Sequence, residues 1–429
     1  MKTAIADLRG RRLWDSRGRP TIEVEVRTCG GGRGRAIAPA GASTGSREAV
    51  DLRDEGAAFG GFGVRRVLYG IENEIAPLLR GRNAADQQAI DLLLKALDGT
   101  PEKRRLGANA LVATSMAVAR AAAATMGVPL WRHLAQGGTV PALPLPQIQI
   151  FGGGAHAGGR LDVQDFMVVA VGAPDFPTAL DWTAEIYRRA GDLLAAEGRL
   201  RGVADEGGWW PAFDGNREAL ETLLRAIEAA GRIPGEEVAI ALDIAASVLH
   251  SEGRYRLRRD GRELDGDAFR ELLLEWLARF PIVSVEDPLA EDDPAGFAAF
   301  TAAAGPRIQV VADDLVVTDA GRIREAAAIG AANAVLVKPN QVGTLSEALA
   351  AVRAAREAGW NAIASARSGE SEDVTILHLA VGWGLPQLKV GALARGERTA
   401  KWNEGLRLAE DLPGGGALPP PGSFPWGRS

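Results

Sequence analysis

The chain has 429 residues, 46% of them hydrophobic, and a formal net charge of -6 without a long basic run. That length exceeds one ordinary core and predicts two domains, while the charge argues against a nucleic-acid partner. Cys29 is the only cysteine, which excludes an intramolecular disulfide, and no signal-like or membrane-spanning apolar run is present, so no membrane partner is expected and the chain reads as cytoplasmic.

Residues 1–30 predict two or three strands, and Thr21-Ile-Glu-Val-Glu-Val-Arg27 alternates with the period of a half-buried one. The small, glycine-rich stretch Ala38-Pro-Ala-Gly-Ala-Ser-Thr-Gly45 predicts a mobile loop. An apolar stripe on an alanine-rich background predicts a helix over 109–126. Pro141 to Pro146 reads as a linker or domain entry, so the domains are expected at 1–138 and 139–429. From about residue 145, strand-like runs alternate with helical runs over 217–230, 267–279 and 345–358. This alternation implies a parallel sheet with enough units to close a barrel. The Pro/Gly-rich tail after Leu412 is expected to be ordered only by contact with the body.

Four apolar runs in the second half end in a charge: Val238–Asp243, Ile282–Glu286, Ile308–Asp313 and Ala334–Lys338. Runs of this kind read as buried parallel strands, and their C-terminal ends open onto the face where barrel enzymes keep their active sites. One such acid alone is better explained as the N-cap of the following helix. Three on successive strands, with a lysine beside them, point to a hard divalent cation and a base.

Eight motifs in order make the chain resemble the enolase (phosphopyruvate hydratase) family over nearly its full length. They are Asp15-Ser-Arg-Gly-Arg-Pro-Thr21, Gly41-Ala-Ser-Thr-Gly45, Leu106-Gly-Ala-Asn-Ala110, Asp205-Glu-Gly-Gly208, Ser284-Val-Glu-Asp-Pro288, Ala312-Asp-Asp-Leu315, Lys338-Pro-Asn-Gln-Val-Gly-Thr344 and Arg367-Ser-Gly-Glu370. The resemblance implies an α/β fold: a modified eight-stranded, TIM-like barrel with an α+β N-terminal capping domain. It also implies a homodimer or higher homo-oligomer, and a small phosphorylated carboxylate as substrate.

By the same resemblance, Asp243, Glu286 and Asp313 are ligands of a first Mg²⁺, and Ser43 joins a second that binds with substrate. Lys338 is implied as the base that removes the proton alpha to the carboxylate, with Lys389 as a second active-site lysine. Enolase-superfamily sites in general pair a lysine or histidine base with Mg²⁺ that stabilises the ene-diolate. A lysine base needs its pKa brought from about 10.4 to roughly 7–8, for which Mg²⁺ and Lys389 would act by like-charge repulsion. Glu206 corresponds to the catalytic acid, Asp165 to a second acid beside Gln164, His156 to a loop histidine that approaches substrate, and Arg367 and Ser368 to the phosphate contacts.

The pattern breaks where the family carries a histidine before the phosphate-binding arginine; here the residue is Ala366, and the nearest histidine is His378. Asp165 stands where the family has glutamate, one methylene longer. Ala40, Gly152, Ala204 and Pro339 are smaller departures. Removing one donor to a developing charge typically costs about 10²–10³ in rate. Three readings follow: an enzyme dehydrating 2-phosphoglycerate to phosphoenolpyruvate; a paralogue on another phospho- or phosphono-carboxylate, of the kind carboxyphosphonoenolpyruvate synthase represents; or a binding or scaffold protein without catalysis.

Overall fold

The computed structural model describes residues 1–135 and 141–427. Three antiparallel strands open the chain: β1 (Ile5–Trp14), β2 (Pro20–Thr28) and β3 (Arg33–Ile37). The alternation read in β2 sends Ile22, Val24 and Val26 inward, where they are fully buried beneath the helix Ala108–Met126. Gly34 lies so close to that helix that a Cβ would strike the backbone of Ala117 and Ala121, so the sheet and helix meet through small residues.

The barrel begins at β4 (Leu145–Gly152), which takes Pro146 out of the expected linker and into a strand. The boundary expected between residues 138 and 139 lies outside the described residues. The remaining staves are β5 (Asp165–Val169), β8 (Ala239–Asp243), β12 (Ile282–Glu286), β13 (Gln309–Ala312), β14 (Ala334–Val337), β15 (Asn361–Ser365) and β16 (Gln387–Gly391). They pair in that order, and β16 closes on β4. A hairpin, β6 (Leu200–Val203) and β7 (Trp209–Pro211), extends the sheet from β4, and a small meander, β9 (His250–Ser251), β10 (Arg254–Leu257) and β11 (Arg262–Leu264), follows β8.

The sheet is not wholly parallel. Strand β5 runs antiparallel to both β4 and β8. The chain between β4 and β5 holds only a short 3₁₀ turn, Gly154–Ala157, and lacks the crossover helix that a parallel return requires. This inversion places Asp165, the first residue of β5, in register with Asp243, the last residue of β8. Both therefore stand at the same mouth.

Loop Ala38–Gly45, expected to be mobile, is tied to the barrel: Ala40 and Gly369 exchange both backbone hydrogen bonds, 2.8 and 2.9 Å. At the opposite end, Phe424 of the tail is buried among Leu145, Met167, Val169 and Ala241, and stacks on Trp426. Asn361 Nδ2 donates to the Ser423 carbonyl at 2.9 Å. Contacts with the body thus place the tail, as its composition predicts. No helix among the described residues is long and apolar enough to cross a membrane.

Candidate active site

Strand geometry brings most of the predicted residues to one mouth. Asp243 and Glu286 end β8 and β12; Asp313 and Lys338 come immediately after β13 and β14; Lys389 lies within β16. All five are buried. Lys389 Nζ donates to Asp243 Oδ2 at 2.7 Å and Glu286 Oε2 at 2.6 Å, and lies 3.6 Å from Asp165 Oδ2. Lys338 Nζ donates to Asp313 Oδ2, while Gln341 Nε2 donates to Asp313 Oδ1 at 3.0 Å. The three carboxylates therefore do not converge on a single point: two share Lys389 and the third is held by Lys338 and Gln341. Among the described residues, the groupings whose candidate ligand atoms all lie within 4.8 Å of one another are instead His156, Asp165 and Glu206, and Asp287, Asp313 and Asp314.

His156 sits on the short turn after β4, its Nδ1 3.0 Å from Asp165 Oδ1 and its Nε2 3.8 Å from Glu206 Oε1. Gln149 Nε2 also donates to Asp165 Oδ1. Gln164 Nε2 donates to Asp243 Oδ2 at 3.0 Å, and its Oε1 is buried without a hydrogen-bond partner. The Arg367 guanidinium is held by both oxygens of Glu48, at 2.9 and 3.0 Å, and donates to the Ser43 carbonyl at 3.2 Å. Ser43 thus meets Arg367 through its backbone carbonyl. Ser368 Oγ accepts from Arg17 at 3.4 Å.

The electrostatics follow from burial and pairing. Burial pushes both lysines down, but Asp313 outweighs it at Lys338, and Asp243 with Glu286 outweighs it at Lys389; both lie above the usual lysine value. Burial, then the neighbouring Asp243 charge, lifts Glu286 well above the carboxylate range. Burial also pushes the His156 imidazolium down, but Asp165 and Glu206 carry it up to about 9. Asp165 is raised by burial and lowered more by His156.

The donor set fits a divalent cation. Asp243, Glu286 and Asp313 are buried at one mouth and offer carboxylate oxygens, and the lysines that hold them in this arrangement are the groups a cation would displace. Hard cations take such oxygens.

Some residues of the site went unread in the sequence. Asp287 accepts from the backbone N–H groups of Asp313 and Asp314, both at 2.9 Å. It and Gln341 lie inside quoted motifs, and adjacent acids in Glu286-Asp287 and Asp313-Asp314 were the available signal. Glu48 follows the glycine-rich loop and carried no local signal.

Ala366 is a buried methyl whose N–H donates to the Lys389 carbonyl at 2.9 Å. His378 does not replace the missing imidazole; its Nε2 is 3.3 Å from Glu404, on another helix face.

Comparison with known families agrees with this architecture. The family model described as "Enolase, N-terminal domain" matches residues 5–134, and that described as "Enolase, C-terminal TIM barrel domain" matches residues 140–418. With both domains matched across nearly the whole length, the chain belongs to the enolase family.

Proposed function

We propose that the protein is a Mg²⁺-dependent lyase that removes the proton alpha to a carboxylate and eliminates water, with 2-phosphoglycerate as substrate and phosphoenolpyruvate as product. The observation that carries this reading is the buried mouth itself, where four carboxylates meet two lysines while Arg367 and Ser368 stand on the adjoining loop. Asp243, Glu286 and Asp313 would hold the cation. When bound, it would supply positive charge against the negative charge that develops on the substrate carboxylate as the alpha proton leaves.

The chain's own residues account for the remaining tasks. Lys338 Nζ takes the C2 proton, which requires it to give up its pairing with Asp313. Lys389, bound to two carboxylates, remains protonated and contributes fixed positive charge beside the substrate carboxylate. Glu206 delivers a proton to the departing hydroxyl, with His156 between it and Asp165. Arg367 binds the phosphate, for which its planar guanidinium suits a two-point contact. The small phosphorylated carboxylate is thus the partner we infer, and by family resemblance we extend the proposal to a homodimer or higher homo-oligomer.

Ala366 favours a second reading: a paralogue acting on another phospho- or phosphono-carboxylate. A methyl in place of an imidazole, with His378 paired to Glu404 instead, leaves room for a bulkier or differently charged group.

The test is an NMR assay of the purified protein with 2-phosphoglycerate and Mg²⁺. Phosphoenolpyruvate should form, and both excess EDTA and Asp313→Ala should stop it. Full activity in EDTA would contradict the metal role. Absence of product with 2-phosphoglycerate, together with turnover of another phospho- or phosphono-carboxylate, would replace the first reading with the second.

A further inference from the structure

The last long helix, Gly396–Asp411, sends two cations beneath the loop that carries Arg367 and Ser368. Arg398 and Lys401 are both fully buried, and neither has a role in the chemistry above. Arg398 Nη1 donates to the Arg367 carbonyl at 2.7 Å and the Val390 carbonyl at 2.8 Å, and its Nη2 donates to the Ser368 carbonyl at 2.6 Å. One guanidinium thereby holds the backbone of both proposed anion contacts, and the residue next to Lys389 on β16. Its nearest acid, Glu397, is 3.4 Å away through Nε.

Lys401 acts on the same loop from one turn further along. Its Nζ donates to Glu370 Oε2 at 2.9 Å and to the Ser371 carbonyl at 2.6 Å. The other oxygen of Glu370 accepts the Arg367 N–H at 3.0 Å. Two buried cations therefore fix residues 367, 368, 370 and 371 from below.

Buried charges are costly unless paired and hydrogen-bonded, and well-packed apolar residues are often at least as stabilising. Here Arg398 bonds two carbonyls of the loop and one of β16, and Lys401 bonds the loop's Glu370 carboxylate and Ser371 carbonyl, contacts whose combined effect is to set the loop's position against the strand bearing Lys389. We propose that Arg398, supported by Lys401, is a positioning residue for anion binding, fixing loop Ala366–Ser371 to β16 so that Arg367, Ser368 and Lys389 meet the anionic end of the substrate together. The inference rests on the reading of Arg367 and Ser368 as phosphate contacts.

Inorganic phosphate is the probe, titrated calorimetrically into full-length, Mg²⁺-equilibrated protein. Arg367→Met should abolish binding. Arg398→Lys, which cannot reach all three carbonyls, should weaken phosphate by about tenfold or more, because displacement of a binding group by about 1 Å has large effects. The thermal shift on adding Mg²⁺ should stay unchanged in Arg398→Lys, since the acids at the mouth are untouched; a merely structural lesion would move both. Lys401→Met should weaken phosphate in the same direction and serves if Arg398→Lys does not fold. Loss of binding in Arg367→Met with parental affinity in the folded Arg398→Lys or Lys401→Met variant would overturn the positioning role alone. Unchanged phosphate affinity in Arg367→Met would overturn the phosphate reading, and this inference with it.

Discussion

Lys338 is the residue whose chemistry is most exposed to its surroundings. Asp313 beside it favours the ammonium, so base strength at neutral pH depends on what else claims that carboxylate. Asp165 and Ala366 are the positions where the site's composition departs from the family pattern. Asp165 Oδ1 meets His156 and Gln149, whereas its buried Oδ2 has no hydrogen-bond partner and lies 3.6 Å from Lys389 Nζ; Ala366 offers nothing but a methyl. If space was traded for substrate range, Ala366→His with Asp165→Glu should raise 2-phosphoglycerate dehydration by about 10²-fold or more, since each restores a group acting in the transition state. The two single variants should not sum to the double, because both act at one site. Steady-state rates of the four proteins check this; a parent that already turns over at about 10–10² s⁻¹, the usual enzyme scale, would remove the paralogue reading.

The turn after β13 shows how a segment is strained to serve the lysine. Val317 and Thr318 are buried, β-branched and left-handed, with φ of +44° and +59°. Such conformations cost about 1–3 kcal/mol each and persist where surrounding structure imposes them. Here Thr318 Oγ1 accepts the Lys338 N–H at 3.0 Å and donates to Gln341 Oε1, orienting the amide that reaches Asp313. Thr318→Val keeps the shape but removes the hydroxyl. It should cost about 1–3 kcal/mol, the penalty of leaving buried polar groups unpaired, read from denaturant midpoints. Its effect on catalysis should exceed that of an equally destabilising core substitution away from the mouth.

What the sequence disclosed follows from the range of its signals. Strand-end acids were legible because each completes a local apolar run, and a run's C-terminal end faces the mouth of a parallel barrel. The direction of β5 was not, because Phe166-Met-Val-Val169 is apolar throughout and periodicity carries no polarity. Nor could local pattern pair Glu48 with Gln341 and Arg367, which lie 293 and 319 residues away along the chain. The pairing of Lys338 with Asp313 was not legible for a related reason: it depends on side-chain geometry at adjacent strand ends.

Across the molecule, the two ends of the barrel are closed differently. The mouth is covered by the capping domain, which reaches it through Ala40, Ser43 and Glu48. The base is closed by the tail, with Phe424 as its buried anchor. Phe424→Ala should therefore destabilise by about 3–5 kcal/mol, the usual cost of emptying a buried phenylalanine site. Because the anchor lies at the end remote from the acids, the thermal shift on Mg²⁺ addition should persist in this variant. Loss of that shift would show that the tail supports the mouth as well as the base.

The proposed chemistry begins with removal of one proton, and that step can be observed without product release. The measurement is C2 deuterium exchange of 2-phosphoglycerate in D₂O with Mg²⁺, followed by NMR for the parent and Lys338→Ala. Proton removal precedes loss of hydroxyl, so the parent should exchange even where elimination is slow, and Lys338→Ala should abolish exchange while retaining its Mg²⁺-dependent thermal shift. Exchange at the parental rate in Lys338→Ala would contradict the assignment of the base.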